Sequence, residues 1–254
     1  MDGDRMPAEL ARLWRIPADS RRGRPARLDV GRVVDAAVAL ADRQGLAAVT
    51  LPKVAESLGT TKMALYRYVG SKDELLTLMH DAANGPVPAS LEGTGPWRER
   101  LRRWSEEQAA VFERHPWLAD LRPSGPPSGP NGIAWFDAGL RAMRSTPLDW
   151  QARVGVIMLV SGYVKSAAQL ARGLAAGREG TGMDQAAAER EYGMAMARLV
   201  EPERFPDAAA LFASGALEDT GKQTGEEDFR FGLELVLDGV AARIGAEGGP
   251  EPAS

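Results

Sequence analysis

Cysteine is absent from all 254 residues. No disulfide framework, thiol nucleophile, iron–sulfur cluster or cysteine-type zinc site is therefore open to this chain, and a reducing, cytoplasmic setting is expected. The first residues, MDGDRMPAEL, lack the uninterrupted apolar core of a secretory signal. The longest apolar run, Val154 to Val164, is flanked by Arg153 and Lys165; it is too short to span a bilayer and reads as a buried helix, so no membrane partner is expected. Also missing are G-x-x-x-x-G-K-[ST], G-x-G-x-x-G after a strand, G-x-S-x-G and H-E-x-x-H. The common phosphate cradles, nucleophile elbows and zinc-hydrolase helices are thereby excluded. The carboxylates are spread over helix faces, as in Glu106/Glu107 and Glu226/Glu227, where solvation is their ordinary role, and the chain is not expected to be an enzyme.

Runs of alternating β-branched residues are missing as well, and almost everything between the Pro/Gly-rich stretches has helical period. Those stretches are Asn84–Pro96, Arg122–Gly132, Ala176–Asp184 and Asp219–Glu227. An all-α protein is expected, with a smaller N-terminal domain at residues 28–83 and a larger C-terminal one at 84–247. Residues 1–27 read as a flexible basic arm and 248–254 as a disordered tail. The formal net charge of −4 says nothing for nucleic acid. Its distribution does, because residues 1–72 hold 13 Lys/Arg against 8 Asp/Glu, a net of +5, and the remainder nets −9. A basic head would be drawn to a phosphate polyanion while an acidic body would be repelled.

Asp29 caps a first amphipathic helix in which Val30, Val33, Val34, Ala37, Leu40 and Ala41 recur at three- and four-residue intervals until Gly45. Thr50 caps a very short second helix whose Pro52 falls in the first turn, where its missing amide has no partner to lose. Leu58 and Gly59 end it. A third short helix is expected from about Thr61 to Tyr68, and Ser71 with Glu74 forms the capping box of a fourth. Two short helices joined by a glycine turn can project the second into the major groove of DNA. Its outward set, Thr61, Lys62, Met63, Ala64, Tyr66, Arg67 and Tyr68, followed by Lys72, offers cations and hydroxyls to phosphates and small apolar atoms to a thymine methyl. Thr50 and Thr60 flank this face. Upstream, Arg21, Arg22 and Arg24 of SRRGRP lie just before the first helix and suit a narrow minor groove.

The segment LPKVAESLGTTKMALYRYVGSKDELL (51–76) resembles the helix-turn-helix of the tetracycline-repressor (TetR) family, particularly in Leu58-Gly59 and in the frame from Leu65-Tyr66 through Val69 to Lys72. The resemblance implies that Tyr66 and Lys72 touch DNA phosphates and that Lys62, Met63, Ala64, Arg67 and Tyr68 sit at the groove. Pro52 stands where the tetracycline repressor itself has a base-contacting arginine, so the tetracycline operator is not implied. Pro96-Trp97-Arg98 and the FRFGLELVLDGV segment (229–240) resemble the family's C-terminal effector domain. The resemblance implies a repressor that binds double-stranded palindromic operator DNA and is released by a small-molecule effector. No cofactor or metal is implied, since the tetracycline repressor's histidine-and-carboxylate arrangement finds no match around His80 or His115.

The helix containing Val154–Val164 and the one containing Phe229–Val240 are apolar on more than one face and must be covered on more than one side. A homodimer through these two helices covers them, and would set two reading heads about 34 Å apart over successive major grooves. For the effector, Trp104, Phe112, Trp117, Trp135, Phe136, Met158 and Tyr163, with His115 and Gln169 as polar contacts, mark a region of the body. A ligand-independent architectural DNA-binding protein is the alternative. It accounts for the basic head and leaves the body without a task.

Overall fold

The computed structural model describes residues 7–16, 28–122, 125–216 and 225–247. They form α1 (Ala8–Leu13), α2 (Val30–Gln44), α3 (Leu51–Ser57), α4 (Lys62–Leu65), α5 (Lys72–Asn84), α6 (Trp97–Arg114), α7 (Pro130–Ala142), α8 (Trp150–Arg178), α9 (Gln185–Leu199), α10 (Pro206–Ala213) and α11 (Gly225–Glu247), with 3-10 turns at Leu46–Ala48, Ala89–Glu92 and Pro116–Asp120. No strand occurs among the described residues, and the fold is all-α as expected.

In the head, local signals act as read. The Asp29 side chain accepts the Arg32 amide at 2.8 Å to start α2, and Gly45, at φ +77°, ends it in a conformation that side-chain-bearing residues avoid. Val33, Val34, Ala37, Leu40 and Ala41 form the buried stripe, against which α5 lays Leu75, Leu78 and Met79. The third helix is shorter than expected. Regular helix covers only Lys62–Leu65, and residues 66–68 form a turn that delivers Val69 to the core.

The reading of residues 1–27 as a flexible arm is overturned for part of its length. Residues 8–13 are helical, Leu13 is buried, and the Arg12 guanidinium grips Glu74, with Nη2 donating to Oε2 at 2.8 Å. Glu74 is buried at the start of α5, and a buried carboxylate without a cation would be strongly destabilising. Trp14 Nε1 donates to the Ser128 carbonyl at 2.8 Å, so α1 leads into a contact with the segment before α7. Arg21, Arg22 and Arg24, together with the 248–254 tail, lie outside the described residues.

In the body, α6 packs on α7, α8 and α11. The Trp104 ring lies so close to Gly139 of α7 that a Cβ there would stand 2.9 Å from Cζ2; only glycine permits the approach. Of the 29 residues of α8, just Val156, Ile157, Val160 and Val164 are buried. Its other face leaves Met158 70%, Leu159 56% and Leu170 64% exposed, while α11 buries Leu233, Leu237 and Val240 and leaves Phe231 68% and Leu235 58% exposed. The buried helix expected around Val154–Val164 is thus buried on one side only. By length and composition α8 would suit a membrane span. Its polar side chains point instead to a packing role: Lys165, Gln169 and Arg172 donate to the carbonyls of Leu121, Ala119 and Pro116.

Helix α11 is fastened to α6 by charge. Arg102 Nε donates to Glu234 Oε1 at 2.5 Å, and Arg98 Nη2 reaches both Glu234 Oε2 and Asp238 Oδ1 at 2.6 Å. The hydrogen bond from Arg102, and then that from Arg98, hold the Glu234 carboxyl down at about 2 against the opposing effect of burial. A carboxyl lowered on folding stabilises fully above its unfolded value, about 4.3, and loses that contribution as pH falls through the folded one. Denaturant melts between pH 5 and pH 2 should therefore show a smaller acid-induced loss of stability in Glu234→Gln than in the wild-type chain. Parallel declines would contradict the fastening.

Candidate nucleic-acid interface

The helix-turn-helix is set by short-range chemistry. Thr50 Oγ1 accepts the Lys53 amide at 3.4 Å, and Pro52 occupies the first turn of α3. Gly59, at φ +61°, makes the turn, and Thr61 Oγ1 accepts the Ala64 amide at 3.3 Å to open α4. Leu51, Val54, Ala55, Leu65 and Val69 are buried beneath the pair. Ser71 Oγ then accepts the Glu74 amide at 3.0 Å, and the Glu74 carboxylate reaches back to the Gly70 amide at 2.8 Å, one residue earlier than a simple capping box would place it.

These elements enclose an open hollow of about 380 Å³ lined by Thr50, Pro52, Lys62, Tyr66, Ser71 and Lys72, among others. Lys62 Nζ stands 5.6 Å from the Tyr66 ring centroid, within cation–π range. Two ammonium groups, three hydroxyls and the N-terminus of α5 thus border one surface depression, the equipment that holds a phosphate. Arg12 matters here through Glu74: by pairing with that carboxylate it removes an uncompensated negative charge from beside the hollow. The hydrogen bond to Glu74 raises the Arg12 pKa further above its ordinary value, so this charge is permanent.

Among the residues read from the sequence, Thr50, Lys62, Tyr66 and Lys72 come together at the hollow. Thr61, Met63 and Arg67 are exposed on the same short helix and its following turn, Met63 at 75%. Thr60 and Ala64 are half-buried. Tyr68, expected to point outward, is half-buried and packs against the core. Pro52, Ser71 and Gly70 also line the hollow, although the sequence showed them only as local structure.

The head is joined to the body at two carboxylates that the sequence did not mark. Asp42, near the end of α2, accepts Trp117 Nε1 at 2.6 Å and is hydrogen-bonded to His115 Nδ1 at 2.8 Å. Asp81, buried on α5, accepts the Gly132 amide at 2.9 Å, while Asn131 donates to the Asp81 carbonyl at 2.9 Å. Trp135 Nε1 donates to the carbonyls of Asn84 and Gly85, where α5 ends. The first turn of α7 thus grips the end of α5.

The residues expected to mark an effector region belong mostly to this framework. Trp104, Trp117 and Trp135 are buried with their indole donors committed, Trp104 to the Trp135 carbonyl at 3.0 Å. His115 is bound to Asp42, and Gln169 donates to the Ala119 carbonyl at 2.7 Å. Tyr163 donates to the Phe229 carbonyl at 2.8 Å and stacks on the Phe229 ring. Phe112 and Phe136 are half-buried against the core. Met158 does not face the interior at all, because the register of α8 turns it outward beside Leu159. The crevice beside Trp104 encloses about 10 Å³, room for roughly one water. Among the described residues, no three His, Asp or Glu side chains gather as metal ligands.

Residues 33–79 match the model of bacterial regulatory proteins of the tetR family, and residues 88–244 match that of the tetracyclin repressor-like C-terminal domain. The chain is 35% identical over 237 residues to the HTH-type transcriptional repressor DrrR1 of Streptomyces coeruleorubidus, covering 92% of this chain and 85% of the relative. An HTH-type transcriptional regulator of Saccharopolyspora erythraea is 34% identical over 122 residues, 48% of this chain and 51% of its own. Among solved structures, apo ActR from Streptomyces coelicolor superposes with a TM-score of 0.71 at 26% identity, covering 88% of this chain and 99% of ActR. ActR in complex with actinorhodin gives 0.70 at 25% identity, covering 85% and 97%. With the head, the body and nearly the whole length matched, the chain belongs to the TetR family of bacterial transcriptional regulators.

Proposed function

We propose that this chain is a cytoplasmic repressor that binds a palindromic operator as a homodimer and leaves it when a small molecule occupies the body. The single observation that carries the DNA half is the hollow at the head, where Lys62, Tyr66, Ser71 and Lys72 converge beside the exposed Met63 and Arg67. In this reading Lys72, Lys62 and Tyr66 hold the backbone, Arg67 and Met63 meet base edges, and Arg21, Arg22 and Arg24 reach the minor groove.

The dimer reading rests on α8 and α11, each with one face in the core and a second apolar face open in the single chain. Covering Leu159, Phe231 and Leu235 with a second copy removes them from water, and a two-fold axis matches the symmetry of a palindrome. The ligand half is supported by ActR, whose structure is recorded with actinorhodin bound. Since the crevice beside Trp104 holds about one water, a ligand must part the helices around it, and α7 then carries the end of α5 with it through Asp81. In this reading the head spans residues 28–83 and the body 84–247.

Lys72→Ala should weaken binding to operator and random DNA alike and reduce the salt slope by about 1, whereas Arg67→Ala should cost about 1–3 kcal/mol on operator alone. Titrations over a range of salt separate the two; equal losses on both DNAs for both variants would contradict base reading by Arg67. In sedimentation, the wild-type chain should run at twice the mass of one chain, and Leu159→Glu or Phe231→Glu should run as a monomer with its helical content intact. A monomeric wild-type chain at DNA-binding concentrations would contradict the α8/α11 interface.

A further inference from the structure

Among the described residues the buried acids are Glu74 and Asp81, and both belong to α5. Seven positions separate them, about two helical turns, so they share one face of the helix. Asp81 is held by the segment that opens α7: Gly132 donates its amide at 2.9 Å, and Gly129 packs so closely that a Cβ there would stand 2.2 Å from Asp81 Oδ1. Glu74 is held by Arg12 of α1. These two holds are connected. Trp14, at the end of α1, donates Nε1 to the carbonyl of Ser128, the residue before Gly129. One short segment, 128–132, therefore grips α5 at both buried charges, at Asp81 directly and at Glu74 through α1.

Helix α1 has six residues, too few to be stable alone, and depends on what it touches. Leu13 is buried and Leu10 packs on the core. The helix ends in a left-handed turn at Arg15, φ +52°, a conformation that a residue with a side chain keeps only where its surroundings impose it. There the amides of Arg15 and Ile16 donate to the carbonyls of Arg12 and Ala11 at 3.1 and 2.9 Å. The Arg12–Glu74 pair sits at the rim of the DNA-facing hollow. A Cβ on Gly70, which lines that hollow, would stand 2.8 Å from Glu74 Oε2 and 3.4 Å from Arg12 Nη2.

We propose that α1 is a strap through which the body sets the grip of the head on DNA, with Arg12 as the positioning residue for the phosphate seat. The strap rests on the reading of the hollow as that seat. With Trp14 on Ser128, Arg12 covers Glu74, and the carboxylate is spent on Arg12 and the Gly70 amide. A shift of the segment before α7 draws Trp14 away and takes Arg12 off Glu74. A bare carboxylate then stands beside the phosphate that Lys62 and Lys72 hold, and like charges repel. The same shift loosens Asp81. Movement of the body thus reaches the DNA as a change of charge at the seat as well as a change in the angle of α5.

Binding of the full-length chain to a random-sequence DNA duplex, titrated over a range of salt, tests the strap. Arg12→Gln should bind about fivefold or more weakly, with a salt slope lower by about 1. The double variant Arg12→Gln/Glu74→Gln should return both quantities to the wild-type values, because its amide side chain still accepts from Gly70 and carries no charge. Trp14→Phe keeps an aromatic ring and loses the donor to Ser128; it should shift binding in the same sense by a smaller factor. Added to the double variant, Trp14→Phe should change nothing further, since its effect runs through the Glu74 charge. Lys72→Ala, measured alongside, reports on the seat. If it binds like the wild type, the hollow is no phosphate seat and the strap falls with it; if it alone weakens binding, the seat stands and the strap is overturned. A double variant that keeps its helical content yet binds as weakly as Arg12→Gln, or a Trp14→Phe effect that persists in the double variant, would also overturn the strap.

Discussion

Two carboxylates, Asp42 and Asp81, decide how the DNA-reading head sits on the body. Asp81 is buried, and a carboxylate withdrawn from water is tolerated only when donors replace the water it gave up, whereas Asp42 stays exposed beside its partners. For Asp81 the donors are the first-turn amide of Gly132 and, more weakly, the Asn131 amide at 3.4 Å; for Asp42 they are the indole of Trp117 and the His115 ring. Because donors and acceptors come from opposite sides of the domain boundary, tilting α5 against the body strips the buried Asp81 of its partners, and tilting α2 breaks the exposed Asp42 bonds to Trp117 and His115. Such a joint favours discrete positions over a continuous range, and a regulator that must either hold or release DNA needs that property.

The same economy of charge runs through the rest of the chain. Arg12 neutralises Glu74 where a free carboxylate would oppose a phosphate, and Arg98 and Arg102 bind α11 to α6 through Glu234. Apolar surface does the complementary work. The four buried side chains of α8 are enough to seat it on the body, and the remaining apolar face is left for a second chain, so that in the proposed assembly the reading heads are spaced by the helices that build the core. Helix α7 connects these parts, with Gly139 admitting the Trp104 ring and its first turn holding α5.

Much of the head was legible because its determinants are local. Asp29, Thr50, Thr61 and Ser71 each bond an amide three residues ahead, and Gly45 and Gly59 adopt positive φ, so a window of a few residues contains the whole cause. The side chains that converge on the hollow followed from that frame. Tyr68 was misread because, three residues after the buried Leu65, it falls on the inward side of the helical turn and packs against the core. Helix α1 and the Arg12–Glu74 pair were illegible because the partners are 62 residues apart, and the Asp42–Trp117 bond spans 75. The aromatic set of the body was recognisable as large and apolar, but only the packing shows that its indole donors fasten helices together and that Met158 faces outward.

Selection of genomic fragments by the purified chain at physiological salt, followed by footprinting of the tightest, tests the central claim most directly. The account predicts a short inverted repeat whose half-sites lie about one helical turn apart, protected by two chains and bound about 10³-fold or more above random DNA. Weak binding of similar strength to every fragment, with no protected repeat, would contradict it and favour an architectural role.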